Sequence, residues 1–161
     1  MASGRELPNI ADILGPVLER VLREQRPLLM AIAERMAADR YREWAGAVEG
    51  ESRRSDLVAC ANREEEIAGR VEALYPESAA VQADILAKNP DLAELNRAIF
   101  ADRPLADQYA IQAQGERVGA STWRALAEQA DPSARQTFLD CAELEEQSAA
   151  VLESILGDSI P

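Results

Sequence analysis

Histidine is absent from the 161 residues of the chain, and cysteine occurs only twice. Without imidazole there is no Ser-His-Asp or Cys-His catalysis, no His-ligated zinc or haem, and no imidazole pH switch. Two thiols cannot build a four-cysteine zinc or iron–sulfur site from one chain. Positive charge is scarce: 17 Lys+Arg stand against 29 Asp+Glu, for a net charge of −12. Phosphate binding needs clustered Lys and Arg, so nucleic acid is not an expected partner. No run approaches the roughly 20 apolar residues of a membrane span, so no membrane association is expected. Met1-Ala2-Ser3-Gly4-Arg5 leads into no signal-peptide core, and Ala2 stands where a myristoylation start needs glycine. The expected compartment is the cytoplasm, where Cys60 and Cys141 are expected to be reduced core thiols.

The chain is 47% apolar and 29% charged, a globular composition of single-domain length. Aromatics are few, while Ala, Leu and Glu, which lose little entropy in a helix, are abundant. Strand-like alternation is nearly absent, and apolar residues recur at helical spacing between Pro and Gly breaks. An amphipathic stretch spans 10–22, with a kink or restart expected at Gly15-Pro16 and an end or bend at Pro27. Long helices are expected over about 28–48, 55–75, 105–129 and 133–156. Ser55 or a neighbour is expected to cap the second, Asp131 the fourth, and Gly157 to end the fourth. Two short helices, 78–88 and 91–100, fall between Pro76 and Pro104.

The chain also repeats itself. Glu34-Arg-Met-Ala-Ala-Asp-Arg-Tyr-Arg-Glu-Trp-Ala45 aligns with Glu116-Arg-Val-Gly-Ala-Ser-Thr-Trp-Arg-Ala-Leu-Ala127 at an offset of 82. Cys60-Ala-Asn-Arg-Glu-Glu-Glu-Ile-Ala68 aligns with Cys141-Ala-Glu-Leu-Glu-Glu-Gln-Ser-Ala149 at an offset of 81, continued by Glu72 over Glu153. The repeat marks Glu34, Glu64, Glu116 and Glu145, each with mostly apolar or small residues three and four positions away. A carboxylate on an apolar stripe must be paired, hydrogen-bonded, protonated or bound to metal.

Two helical pairs related by a pseudo-repeat and joined by a long crossover resemble the ferritin-like superfamily, including its rubrerythrin-type members. The resemblance implies an all-α four-helix bundle over residues 28–161, with 76–103 as the crossover and 1–27 as an added N-terminal helical extension. The family places a Glu on each of two helices and Glu-x-x-His on each of the other two. Glu34 and Glu116 match the single positions; Glu64 to Ile67 and Glu145 to Ser148 match the others. Both histidine positions are replaced, by Ile67 and Ser148. Ile cannot ligate metal, and a neutral Ser hydroxyl is a poor iron ligand.

Two functional readings follow. In one the bundle is a non-catalytic, metal-free relative acting through its own oligomer or a partner, with no cofactor. Its glutamates are then protonated, turned outward, or paired with arginines such as Arg35, Arg42, Arg63 or Arg117. In the other, Glu34, Glu64, Glu116 and Glu145 form a carboxylate-only site for Fe, Mn or another hard divalent cation, binding or oxidising. No catalytic residue is assigned, and the missing histidines point away from an enzyme. A third outcome is a small-ligand cavity beside Ala38, Ala68, Ala120 and Ala149. Cys60 and Cys141 are expected as core thiols, or as a redox pair if their helices face each other. Tyr41, Trp44 and Trp123 are expected to fill space rather than to carry electrons. The surplus stripe 10–22 is expected at a homodimer contact, or packed back across its own bundle.

Overall fold

The computed structural model describes residues 6–158. The residues behind the expectations for the first five positions, and the outer ends of the divisions 1–27 and 28–161, lie outside that range. Among the described residues every regular element is helical. Helix α1 is Ile10–Leu18, α2 Arg26–Ala47, α3 Glu51–Glu72, α4 Ser78–Lys88, α5 Leu92–Phe100, α6 Leu105–Glu128 and α7 Pro132–Asp158. A short 3-10 turn, Arg23–Gln25, leads into α2.

Several boundaries differ from the sequence expectation. No restart occurs at Gly15-Pro16; α1 runs through both, and Asn9 caps its start by accepting from the Asp12 N–H. Pro27 does not end a helix but sits in the first turn of α2, where a missing N–H leaves no bond unmade. Helix α3 starts at Glu51 behind Gly50, four residues before Ser55, so Ser55 is no cap. Helix α7 continues through Gly157. An isolated glycine lowers helix propensity but does not by itself end a helix.

Helices α2 and α3 pack along each other, as do α6 and α7, and α3 packs on α7. Each pair is closed by the same device. Arg54 donates to the carbonyls of Ala45 (3.2 Å) and Val48 (2.8 Å), and Arg135 to that of Ala127 (3.2 Å). Carbonyls at a helix C-terminus lack intrahelical donors, and each arginine supplies one from the next helix. The repeat reappears along the pairs. Arg35 binds Glu72 as Arg117 binds Glu153, and Arg42 binds Glu65 as Arg124 binds Glu146. Equivalent residues thus make equivalent contacts in both halves.

The core has two layers. One gathers Met30, Ile67, Val71, Trp123, Phe138 and Cys141; the other gathers Tyr41, Trp44, Leu57, Cys60, Tyr109 and Leu152. Each long helix contributes to both layers, and each carries one of the four glutamates between its two contributions. Full burial of one such large side chain is worth about 1.5–3 kcal/mol, so two packed layers can hold a polar layer between them. The crossover helices α4 and α5 cover the N-terminal part of α2 through Ile85 and Leu92, which pack with Leu28, Leu29 and Ile32.

Helix α1 packs on α6 of its own chain. Ile10 N–H donates to Gln114 Oε1 (2.5 Å), and Gln114 Nε2 donates to the Pro8 carbonyl (3.1 Å). Arg20, just beyond α1, binds both carboxyl oxygens of Asp91 at 3.0 and 2.9 Å. Leu14 and Leu18 pack against the first core layer, and Val17 and Val21 against the cluster under α4. The stripe of 10–22 therefore has an intramolecular partner, although Leu22 remains 62% exposed. No helix among the described residues is long and apolar enough to cross a membrane.

Candidate functional site: a buried layer of four carboxyl groups

All four glutamates face inward: Glu34, Glu64, Glu116 and Glu145 are buried. One oxygen each of Glu34, Glu64 and Glu145 lies within 4.8 Å of the others. Glu116 is near enough for its charge to act on Glu34, Glu64 and Glu145. One carboxyl from each long helix thus joins a single buried layer, a ring of neighbouring acids. Buried carboxyl groups this close repel one another when charged, which favours a proton or a cation among them.

Protein donors serve part of the ring. Tyr41 O–H donates to Glu116 Oε1 (2.7 Å), and Gln112 Nε2 donates to the same oxygen (2.8 Å). Trp123 Nε1–H donates to Glu145 Oε1 (3.1 Å) and also favours the charged form of Glu34. Both oxygens of Glu64, and Oε2 of Glu116, are buried without a hydrogen-bond donor. Burial, then the negative charge of Glu116 and Glu34, hold Glu64 well above the ordinary carboxylate range. Burial and then Glu34, Glu116 and Glu64 do the same to Glu145. Burial also raises Glu34, opposed by its hydrogen bonds.

The expected arginine neutralisation is not what the structure shows. Arg35 binds Glu65 and Glu72, Arg42 binds Asp39 and Glu65, and Arg117 binds Glu153. Arg63 donates to Ser148 Oγ (2.9 Å) and to Cys60 Sγ (3.1 Å). Among the described residues no Lys or Arg forms an ion pair with any of the four glutamates. Arg35, Arg42 and Arg117 point along the exposed faces of the helix pairs, where acidic side chains of the neighbouring helix lie nearer, while Arg63 turns to the neutral Ser148 and Cys60.

Ile67 is fully buried in the first core layer. Ser148, also buried, takes the hydrogen bond from Arg63. Cys60 and Cys141 are free, buried and assigned to different core layers, and burial raises both thiols, Cys141 to about 12. Both are therefore protonated core groups at neutral pH. Trp44 donates its indole N–H to Gln108 (3.0 Å) and stacks edge-on with Tyr41, Phe100 and Tyr109. Tyr41 and Trp123 do more than fill space, since each donates to a glutamate.

A cavity of about 170 Å³ opens on one side of the ring. It lies among α1, α2, α5 and α6, and Glu34, Glu116 and Glu145 reach it. The four alanines expected to leave room do not line it; Ala38, Ala68, Ala120 and Ala149 are packed. Ala33, Ala37, Gly115 and Gly119 line it instead.

Sequence reasoning missed three contributors. Gly119 lies one turn after Glu116, and a Cβ there would stand 2.8 Å from Glu145 Oε1. Only hydrogen at that position lets the α7 carboxyl come so close to α6. A glycine within a helix, three residues from a stripe glutamate, was the available signal, because it sacrifices about 1 kcal/mol of propensity for some reason of packing. Gln112 is the second contributor. Arg40 is the third, and it donates to Gln112 Oε1 from Nε (3.1 Å) and Nη2 (2.8 Å). An arginine four residues from an aromatic gives no comparable signal.

No protein-family model, curated protein or solved structure matches this chain.

Proposed function

We propose that the chain is a ferritin-like bundle whose centre is a carboxylate-only site for a hard divalent cation. The observation that carries this reading is the orphaned pair of oxygens on Glu64, fully buried and facing other carboxyl groups with no protein donor. A buried acceptor left unpaired costs about 1–3 kcal/mol, and more when charged. A cation among Glu34, Glu64 and Glu145 would satisfy those oxygens and offset the buried negative charge. The donor set is all oxygen, which suits Mn, Fe, Mg or Ca rather than a soft metal. Bound iron or manganese would supply redox chemistry there, and magnesium or calcium charge alone. The chain's own part is positional. Tyr41 and Gln112 fix Glu116, Trp123 fixes Glu145, and the two core layers close the site at both ends, leaving the cavity as its open side.

A second reading rests on the closeness of the buried carboxyl groups, which protons alone also accommodate. The bundle is then metal-free and acts through its own oligomer or a partner. Calorimetric titration of chelator-treated protein with Mn²⁺ and Ca²⁺ separates the two. Near-stoichiometric binding with proton release, abolished in Glu64→Ala and Glu145→Ala, supports the cation site. Absence of binding at neutral pH leaves the protonated ring.

A further inference from the structure

The cavity beside the glutamate ring has a second polar group in its lining. Its walls are apolar side chains of four helices, among them Ile13 and Val17 of α1, Met36 of α2, Ile99 of α5 and Ile111 of α6. Arg40 also lines it. The Arg40 guanidinium lies 3.7 Å from the centre of the Phe100 ring and donates from Nη1 to Asn96 Oδ1 at 2.7 Å. Both amide partners, Asn96 and Gln112, offer it uncharged oxygens. Among the described residues no carboxylate pairs with Arg40. Its neighbours by contrast, Arg35 and Arg42 on the same helix, both hold acidic partners.

A guanidinium has five N–H donors, and three are used here, which leaves one on each terminal nitrogen. Burial lowers Arg40 only to about 10, so it is charged at neutral pH. The charges of Glu116, Glu64 and Glu34 favour the charged form of Arg40, and Gln112 stands between Arg40 and Glu116. None of these acids binds Arg40 directly, so an anion at the cavity edge would add charge-assisted hydrogen bonds that Arg40 now lacks. A guanidinium with two free N–H groups fits a carboxylate.

We propose that this cavity binds a small apolar monocarboxylate, its carboxylate on Arg40 and its hydrocarbon part among Ile13, Val17, Met36 and Ile111. Size supports a ring or short chain, since a cavity of about 150 Å³ lined by apolar side chains accommodates benzene. The bound hydrocarbon would lie beside Glu34, Glu116 and Glu145, so the site presents its ligand to the carboxyl ring. The inference stands on the cavity and on Arg40, and does not require the cation reading.

Benzoate and benzyl alcohol are the probes, titrated calorimetrically into the full chain with and without prior chelation. Benzoate is expected to bind at least tenfold more tightly than benzyl alcohol, with or without chelation. In Arg40→Met the two should bind alike. Gly115→Leu should lose both, because a side chain added at Gly115 meets open space in the cavity and leaves the helix intact. Ala33→Leu is an independent filler with the same expected loss. Equal binding of the two probes by the unaltered chain overturns the assignment of the carboxylate to Arg40. Unchanged binding in both fillers overturns the location, and absence of binding overturns the site. Benzoate binding that requires a cation and survives Arg40→Met also overturns it, because the carboxylate would then sit on the metal centre.

Discussion

In the first half of the molecule Arg35 and Arg42 reach from α2 to Glu72 and Glu65 on α3; in the second, Arg117 and Arg124 reach from α6 to Glu153 and Glu146 on α7. The outer frames match residue for residue. The inner faces do not. The second-half carboxyls are held by neutral donors, Glu116 by Tyr41 and Gln112 and Glu145 by Trp123. Glu64 of the first half has no protein donor at all. Tyr41 and Trp123 occupy equivalent positions of the repeat, yet both donate to second-half glutamates, and Trp123 also favours the charged form of Glu34. Ala37 likewise stands where the second half has Gly119, the residue that admits Glu145. The difference teaches that a repeated frame can hold an unsymmetrical centre. Two carboxyls are fixed by donors, and Glu64 is left to a proton or a cation.

The largest test of that contrast exchanges Glu64 and Glu116 separately for leucine in chelated protein. Glu116→Leu strands the Tyr41 hydroxyl and the Gln112 amide, each at about 1–3 kcal/mol. Glu64→Leu strands no protein donor and removes a buried acid, so it is expected to be neutral or stabilising. Urea denaturation reads both, and equal losses would break the comparison.

A smaller effect is expected along α6. Gly119→Ala pushes its methyl group into Glu145 and should destabilise by about 1–3 kcal/mol. Gly115→Ala meets nothing and should stabilise by up to about 1 kcal/mol. Opposite signs one helical turn apart, in thermal or urea melts, sharpen the account; like signs would remove Gly119 from it.

The pH dependence is smaller again and spread over several units. Glu34, Glu64 and Glu145 have folded-state values raised above the ordinary 4.5. Between that value and the raised ones, the folded chain holds protons that the unfolded chain has released. Stability from these groups is full below about 4.5 and falls as pH rises through the folded values. Chelated protein should therefore melt at a lower temperature at pH 8 than at pH 5.5, and Glu64→Gln should flatten the slope. A melting temperature that rises over this interval in the unaltered chain, with the variant superimposable on it, would contradict the shared-proton description.

Much of this architecture is written in local spacing. The 3-4 stripes and the Pro breaks place the four long helices to within a few residues, and a glutamate amid apolar neighbours marks each inward carboxyl. What escapes is whatever depends on distance between helices. The approach of Glu145 to Gly119, and the reach of Tyr41 across to Glu116, are tertiary facts with no local periodicity. The arginines failed as neutralisers because sequence proximity says nothing of face: Arg35, Arg42 and Arg117 look outward, and Arg63 meets Ser148 and Cys60 instead. Helix α1 carries a stripe that must be covered, but only the fold tells which surface covers it. Arg40 reads locally as one more surface charge, and becomes unusual only when Asn96, Phe100 and Gln112 surround it.

The most direct measurement of the central claim is elemental analysis of the full chain, purified without chelator from cells grown with added iron and manganese. The account predicts near-stoichiometric Fe or Mn in the unaltered chain and near-complete loss in Glu64→Ala, with both proteins folded by circular dichroism. Traces of metal only, or equal metal in the two proteins, would contradict it.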